Sequence, residues 1–536
     1  MTGAQRGILV AVVAGSSVVF LDATVVTVAL PRIGAALPTP RLGLLEAQAY
    51  VYSAYLLSLS SLLVLFGAMG DIHGRRRVYR IGLLAFGATS LACGLAPTME
   101  LLLVARVLKG AAGAVLVPAS LAIITAAFHG EERGRAFGVW AGASAVATIL
   151  GPLMGGVLVD TVSWRAVFLL NLPIVGVGLW ATSRHVPESR DETTVRRLDW
   201  RGSIAIALAL AGLTVGAIRG QERAWQDPGA FVALAVGVAA GVAFVLLMAR
   251  TPDPLVPLDL FRSRNFAVSN LSTVLVYGAL YIAMYVVVLY LQGALGYSAA
   301  AAGVATVPTV AFLAVASTRM GGLAARHGPR WFMAAGPWLM AAGTLLLTTV
   351  TASSAAWTLE IGDPASWAPP GDYLSRLLPG LAVFGLGVMV VVAPLTTALM
   401  DSVPEERAGV ASAINNALSR VGPQLAAAVL FVAISASFHQ ALSERVADLD
   451  TGDPAPRVRY APLNPPVGDP TPDEVRAARE ASTEAFHLAM VVAAALAASG
   501  GVVNAIGIRN PHRPLAPRRP AECLPGAVPP TTRPSG

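Results

Sequence analysis

The sequence predicts an all-helical integral membrane protein that crosses the bilayer fourteen times. Of its 536 residues, 55% are hydrophobic and 13% are charged, against about 25% charged residues in ordinary soluble domains. Fourteen apolar runs have roughly the 20 residues needed to cross a hydrocarbon core of about 30 Å. With a cytoplasmic N-terminus, 24 basic residues fall in cytoplasmic segments and 11 in external ones. This bias predicts a protein of the cell membrane with both termini in the cytoplasm.

The fourteen runs also show an internal repeat. They lie near 8–30, 46–69, 78–96, 101–127, 136–159, 165–183, 202–219, 229–249, 266–292, 301–319, 331–351, 378–400, 408–437 and 485–508. GAMGDIHGRRR (67–77) follows the second run, and the similar GGLAARHGPR (321–330) follows the tenth. This echo indicates two halves related by duplication, as in many secondary transporters.

Two segments lie outside the predicted spans. The external loop 438–484 is rich in proline and charge, and Thr471, Pro472 and Glu474 form the pattern of a capping box with proline at the first helical position. The last helix is therefore expected to begin outside the membrane. The basic, proline-rich tail 509–536 is expected to be a disordered cytoplasmic segment.

Eight motifs occur in order along the chain. The first half holds LDATVVTVALP, GAMGDIHGRRR, RVLKGAAG, GPLMGG and WRAVFLLNLP, and the second half holds LDLFRSRNF, YLQGALGYSAAAAGVATVP and VPEERAGVASAINNALSRVG. With this set the chain resembles the major facilitator superfamily, specifically its fourteen-span drug:proton antiporters. The resemblance implies the major facilitator fold. Its two six-helix bundles would be 1–183 and 266–508, with two extra central helices in 184–265 and a cavity between the bundles.

Asp22 is the only charged residue between Ile8 and Leu30, where a carboxylate costs roughly 2.5–3.5 kcal/mol on insertion scales. It would lie about 12 Å below the outer edge of the membrane, and Arg106 and Lys109 would lie at about 8 and 12 Å. The two cations are three residues apart and share a helix face. We therefore expect them to meet Asp22.

A cation beside a buried carboxylate favours its ionised form, so that the group can both load and release a proton. The resemblance implies this proton-coupling role for Asp22. The alternative is a static ion pair that only fixes helix packing. Lys109 departs from the family pattern, which usually has glutamine there. Either Lys109 is neutral when buried, or it meets an anionic group on the substrate.

The GPLMGG motif predicts a bend and a close helix contact in the fifth span. Pro152 cannot donate a hydrogen bond to the carbonyl of Thr148, and Gly151 and Gly155 form a small-residue face, next to Gly156. The resemblance implies that this motif marks exporters. The alternative is an ordinary kink, since glycine and proline are common in membrane helices.

The turn after the second span contains Gly67, Asp71, Gly74, Arg75 and Arg76. Its arginines are expected to anchor the cytoplasmic side. The resemblance implies that Asp71 and the arginines also form a charge latch that opens and closes during transport. In the second half Arg326 stands where this aspartate would be, so a latch there is altered.

Substrate contacts are expected in the second half. Tyr277, Tyr281 and Tyr285 recur every four residues on the ninth span, where they could stack on an aromatic or cationic ligand or serve packing. Arg420, with Asn415 nearby on the thirteenth span, should face the protein interior. Apart from Asp22 no acid lies deep in a span, which leaves neutral or anionic substrates open.

The sequence gives no sign of enzyme chemistry. Its seven histidines have no metal-ligand spacing, and a phosphate-binding GxxxxGK[ST] loop is absent. We expect no metal, no cofactor and no nucleic-acid partner, with the proton gradient as the energy source. The predicted function is proton-coupled export of hydrophobic small molecules, such as antibiotics, by a monomer in the lipid bilayer. The alternatives are export of an endogenous metabolite and a non-transporting membrane sensor.

Overall fold

The structure of the protein is a computed structural model. It describes residues 2–510 except 39–42, 129, 190–198, 223–224, 253, 255, 361, 405–406, 447–456 and 458. The predicted tail therefore lies outside the described residues from 511 onwards. Throughout the described part the secondary structure is helical, with no strand.

Fifteen α-helices are described. They are α1 (Gly3–Ala36), α2 (Leu44–His73), α3 (Arg75–Leu95), α4 (Met99–Ala127), α5 (Gly130–Thr161), α6 (Ala166–Leu169), α7 (Asn171–His185), α8 (Trp200–Glu222), α9 (Pro228–Arg250), α10 (Arg264–Gly293), α11 (Ala299–His327), α12 (Arg330–Leu347), α13 (Leu378–Met400), α14 (Ala408–Ser443) and α15 (Pro472–Gly507). Short 3₁₀ helices at Leu258–Arg262 and Pro364–Trp367 precede α10 and α13.

Eleven stretches in the described residues are long and apolar enough to cross a membrane. The all-helical membrane fold is thus confirmed, whereas the count of fourteen spans stays a prediction. The sixth predicted span, 165–183, is divided at Leu170 into α6 and α7. Pro173 explains this break, because it cannot donate a hydrogen bond to the carbonyl of Leu169.

The helices pack into two groups. In the first, α1 packs on α5, α4 and α7, and α4 packs on α2 and α3. In the second, α15 packs on α10, α12 and α14, and α13 packs on α11 and α12. The main contacts between the groups run from α5 to α11 and from α2 to α14.

The inserted helices α8 and α9 form a hairpin. α8 also packs on α2 and α14. In contrast, α9 is largely exposed, since only 11% of its most apolar 18-residue stretch is buried. Because these exposed side chains are apolar, α9 is suited to face lipid.

The segment between the last two helices is shorter than the predicted loop 438–484. α14 continues to Ser443, and α15 begins at Pro472, where Thr471 and Glu474 form the predicted capping box. This box satisfies backbone groups at the start of α15, so the helix begins well before its apolar run.

Candidate functional site

A buried ion cluster joins α1 to α4. The exposed fractions of Asp22, Arg106 and Lys109 are 0%, 1% and 0%. Arg106 Nη1 lies 2.5 Å from Asp22 Oδ2, and Lys109 Nζ lies 2.5 Å from Asp22 Oδ1. The structure thus brings together the acid and the two cations, and each carboxylate oxygen accepts from one cation.

Two further hydrogen bonds complete the polar contacts of the cluster. Asn171 Nδ2, at the start of α7, donates to Asp22 Oδ1 over 3.2 Å. Arg106 Nε donates to the carbonyl of Val51 on α2 over 3.0 Å. The ions are therefore held by four elements, and hydrogen bonds of this kind reduce the cost of burying charge.

Aromatic rings enclose the cations. The guanidinium carbon of Arg106 lies 4.5 Å from the ring centroid of Tyr55. Lys109 Nζ lies 5.0 Å from the ring centroids of both Phe86 and Phe168, within cation–π range. Lys109 therefore contacts Asp22 and aromatic rings in this conformation, rather than an open substrate cavity.

Close packing of α2 on α4 fixes the position of the cations. A Cβ at Gly110 would lie 2.0 Å from Ser58 Oγ and 2.2 Å from the carbonyl oxygen of Tyr55. Only glycine allows this approach, and it directly follows Lys109. Small residues permit such close contacts between membrane helices.

The GPLMGG motif lies between the helix that carries Asp22 and the second half. A Cβ at Gly151 would lie 2.1 Å from Thr24 Oγ1, and one at Gly155 would lie 2.7 Å from Cγ2 of Val25. A Cβ at Gly156 would instead lie 2.3 Å from the carbonyl oxygen of Ala299, at the start of α11. These glycines therefore let α5 contact α1 and α11 at once.

The α5–α11 contact continues on both sides of Gly156. A Cβ at Gly303 would lie 2.3 Å from the carbonyl oxygen of Pro152, so both helices require glycine here. Asp160 Oδ2 also accepts a hydrogen bond from the backbone N–H of Ala300 over 2.7 Å. The end of α5 is thereby fixed to the first turn of α11.

The turn between α2 and α3 contacts the segment after α7. Gly74 has φ +96°, a conformation that favours glycine. Glu188 Oε1 accepts from the backbone N–H of Arg76 over 3.0 Å, and Arg76 Nη2 donates to the carbonyl of Ser183 over 2.7 Å. These bonds anchor the turn within the first half.

The predicted charge latch is only partly described. Gly67 and Asp71 belong to α2, but the side chain of Asp71 lies outside the described part of the chain. The backbone N–H of Arg75 donates to the carbonyl of Ser189 over 2.9 Å. The latch therefore stays a prediction.

The three tyrosines of α10 do not form one continuous stack. Tyr277 and Tyr281 are stacked with ring centroids 6.4 Å apart. Tyr285 instead contacts Tyr52 of α2 at 5.0 Å and Phe431 of α14 at 5.9 Å. The tyrosines thus lie at the cleft between the two helix groups.

A small apolar cavity lies in this cleft. It is lined by residues of α2, α10, α14 and the loop before α15, among them Tyr52, Tyr281, Tyr285, Phe431 and Leu463. Its volume is about 20 Å³, which is the size of one or two water molecules. A drug-sized ligand would need several hundred Å³, so this cavity is closed to one in the present conformation.

Asn415 serves helix packing rather than the cavity. Its Nδ2 donates to Asn270 Oδ1 over 3.2 Å and to Thr273 Oγ1 over 2.7 Å, both on α10. The side chain of Arg420, in contrast, is 4% exposed and lies beside Phe20 of α1, with its guanidinium carbon 5.8 Å from the ring centroid.

The loop before α15 covers one end of the cleft. Gln48 Nε2 donates to Asn464 Oδ1 over 2.9 Å, and Asn464 Nδ2 donates back to Gln48 Oε1 over 3.2 Å. Both residues are at most 3% exposed. Leu463, which has φ +60°, lines the cavity. This reciprocal amide pair joins the loop to the first helix group.

Several of these residues were missed by sequence reasoning. Asn171 lies within the quoted motif WRAVFLLNLP, where a polar residue in an apolar run was an available signal. Gln48, Asn464 and Glu188 lie near span ends or in loops, where polar residues are ordinary. Their partners are distant in sequence, so no local pattern could have identified them.

In the described part of the chain, no group of three or more His, Cys, Asp and Glu side chains is placed to hold a metal ion. Among the described residues, the charged side chains with under a tenth of their surface exposed are those of the ion cluster and Arg420. This arrangement can bind protons or ligands by charge and hydrogen bonding.

Comparison with known sequences gives a consistent result. A sequence profile of the Major Facilitator Superfamily matches residues 12–427. The multidrug resistance protein Stp of Mycobacterium tuberculosis is 33% identical over 80% of this chain and 76% of its own length. The puromycin resistance protein pur8 of Streptomyces alboniger is 34% identical over 79% and 80%. The tetracenomycin C resistance and export protein of Streptomyces glaucescens is 29% identical over 84% and 79%.

Solved structures share the fold at low sequence identity. An auto-inhibited peptide transporter of the POT family aligns with a TM-score of 0.63 and 13% identity, over 95% of this chain and 99% of that one. A bacterial homologue of the human lysosomal transporter Spinster, inward-facing and occupied, aligns with a TM-score of 0.59 and 17% identity, over 94% and 97%.

Proposed function

This chain belongs to the Major Facilitator Superfamily, and from that premise we propose that it exports hydrophobic small molecules, antibiotics among them, in exchange for protons. Members of this family are membrane transporters rather than enzymes. We place the exchange at the cytoplasmic membrane, with both termini in the cytoplasm. The proton gradient supplies the energy, without a bound cofactor.

Two observations support the export of hydrophobic compounds. Relatives that are 33% and 34% identical to this chain over the aligned residues are named for multidrug resistance and for puromycin resistance. The cleft between the helix groups is lined by aromatic and aliphatic side chains, as expected for a site that takes apolar ligands once it widens.

The ion cluster around Asp22 is the observation that carries the proton-coupling proposal. One carboxylate faces two cations there, at 2.5 Å each. A proton on Asp22 would remove the only negative charge of the cluster. Arg106 and Lys109 would then repel each other without a counter-charge, so protonation favours a rearrangement of α4 against α1.

α1 can transmit this rearrangement to the cleft. Thr24 and Val25, two and three residues after Asp22, contact Gly151 and Gly155 of α5. α5 in turn contacts the start of α11 through Gly156 and Asp160. A shift of α1 therefore reaches the contact that holds the two halves together. Tightly packed interfaces tend to switch between discrete arrangements rather than deform gradually.

The test is export by the full-length protein in inside-out membrane vesicles, with the neutral 9-anthracenemethanol and the anionic 9-anthracenecarboxylate as probes and respiration as the source of the gradient. We expect uptake by wild-type vesicles that stops when a protonophore collapses the gradient. Asp22→Asn should abolish the gradient-driven uptake. Asp473→Asn, which changes an external carboxylate that is 89% exposed, is the matched control and should transport normally.

Asp22→Asn leaves two buried cations without their partner, a change that typically costs 3–5 kcal/mol. The double variant Asp22→Asn/Lys109→Gln removes one of those cations and keeps the test valid if the single variant does not fold. Gradient-driven uptake by either folded variant at the wild-type rate would refute the coupling role of Asp22.

A further inference from the structure

Arg420 is a buried cation that has no ion pair or hydrogen bond among the described residues. It lies twelve residues after the first residue of α14, and 4% of its surface is exposed. Within the part of the chain that the structure describes, its guanidinium forms no ion pair or hydrogen bond, and Nε is fully buried and unsatisfied. A guanidinium cannot lose its proton in a protein, so its charge has to be balanced by another group.

The chain itself offers no acid for this purpose in the membrane interior. Asp22 is the only carboxylate deep in a predicted span, and both of its oxygens already accept from Arg106 and Lys109. Among the described residues, the deep parts of the spans therefore hold three cations, Arg106, Lys109 and Arg420, and one carboxylate. An unbalanced charge of this kind is costly in a low-dielectric region. The other acid near the cleft, the partly buried Glu46 at the start of α2, faces Arg457.

Arg420 lies at the cleft and not inside one helix group. Pro423 and Ala427, which follow it at helical spacing on the same face of α14, line the apolar cavity. Gln424 Oε1 is also buried without a hydrogen bond, while its Nε2 donates to the carbonyl of Ser53 on α2 over 3.4 Å. Arg420 and Gln424, one helical turn apart, thus both have an unsatisfied polar group where the two halves meet.

Aromatic rings surround this position from both halves. Phe20 of α1 lies 5.8 Å from the guanidinium carbon. The stacked pair Tyr277 and Tyr281 belongs to α10 of the second helix group, and Tyr281 lines the cavity. A flat ring could therefore stack in the cleft while a charged group on it reaches Arg420.

We infer that the cleft binds aromatic substrates that carry an anionic group, with Arg420 as the residue that takes the anion. The planar guanidinium can form two parallel hydrogen bonds to a carboxylate, and Gln424 Oε1 can accept from a hydroxyl group beside it. This inference rests on the proposed export function and names its substrate class. The fixed positive charge of Arg420 disfavours a cationic group at this position.

The charge of such a substrate also suits exchange for protons. Export of an anion and entry of a proton each make the interior of the cell more positive. An inside-negative membrane potential therefore favours both movements.

The experiment compares three probes with the same ring system: 9-anthracenecarboxylate, 9-anthracenemethanol and 9-(aminomethyl)anthracene as its ammonium ion. Their binding to the full-length protein in lipid nanodiscs is measured by fluorescence anisotropy, without a proton gradient. We expect the carboxylate to bind at least about tenfold more tightly than the other two, the value of one charge-assisted hydrogen bond. Arg420→Gln should remove this preference, and Arg420→Lys should keep part of it.

Arg219→Gln is the control variant, because this arginine is 46% exposed and pairs with Asp227 between α8 and α9. It should retain the wild-type preference. The inference is overturned if wild-type protein binds the carboxylate no better than the alcohol, or if Arg420→Gln keeps the preference. Because binding is measured without a gradient, failure here is distinct from failure of proton coupling, which the Asp22 variants report.

Discussion

Gly156→Ala tests whether the α5–α11 contact closes the cleft. The added Cβ would lie 2.3 Å from the carbonyl oxygen of Ala299, which is 1.1 Å short of the 3.4 Å at which ordinary contact begins. The neighbouring atoms within 2.7 Å are also backbone atoms of Ala299 and Ala300. No change of rotamer can relieve this overlap, so the start of α11 has to move away by about that distance.

The cost falls only on the conformation in which α5 and α11 touch. Overpacking of this kind typically costs 1–3 kcal/mol, which corresponds to a change of about 5- to 150-fold in the ratio of open to closed molecules. A contact absent from the open state adds nothing to the energy of that state. Gly156→Ala should therefore enrich molecules whose halves are separated at this end.

The distance between the halves can be followed with spin labels at Val162, at the end of α5, and Glu360, both of which are exposed. Leu359, next to Glu360, bonds to Ser298 at the start of α11. Pulsed electron–electron double resonance should show a larger population of long distances between the two labels in Gly156→Ala. Gly142→Ala, on the same helix but with open space around the new Cβ, should match the wild type. An unchanged distance distribution in Gly156→Ala would refute the role given to this contact.

Two further predictions concern contacts outside the ion cluster. Asn464→Leu leaves the buried amide of Gln48 unpaired and should lower the free energy of unfolding by about 1–3 kcal/mol. The double variant Gln48→Leu/Asn464→Leu should recover part of that loss, because neither polar group then remains. Thermal unfolding in detergent measures both variants, and additive losses would contradict a mutual pair. The hydrogen bond from Arg407 holds the pKa of the Asp259 carboxyl below its usual range. Because that pKa is lowered in the folded protein, the stabilisation is present at neutral pH and is lost as the pH falls through the lowered pKa. Asp259→Asn should therefore cost less than about 1 kcal/mol at pH 7, since the pair is half-exposed. The cost should shrink as the pH falls through the lowered pKa of Asp259, and a cost that does not change with pH would show that the ion pair is not its cause.

The fold class and the meeting of Asp22 with its cations could be predicted from sequence for a common reason. Both follow from distances along single helices, which rise 1.5 Å per residue and cross a slab of known thickness. Asp22, Arg106 and Lys109 were expected at similar depths, and charges at one depth in a membrane interior tend to pair. The division of the sixth span at Leu170 was missed, although Pro173 was visible in the sequence.

The partners that depend on how helices rotate and which elements become neighbours could not be predicted. The packing of Gly156 on Ala299 joins residues 143 positions apart, and the Gln48–Asn464 pair joins residues 416 positions apart. Sequence spacing fixes the face of one helix but not the helix that covers it. For the same reason the spacing of the three tyrosines of α10 left ligand stacking and packing open, and only the structure shows that Tyr285 packs against Tyr52 of α2 and Phe431 of α14.

By itself the sequence determined that the chain spans a membrane and which of its rare charges lie at which depth, because the bilayer imposes length and polarity on every span. The tertiary structure alone decided that both oxygens of Asp22 are occupied, while Arg420 has no ion pair or hydrogen bond among the described residues. A helix carries its charges to a given depth, but only the packing of separate helices determines which of those charges neutralise one another.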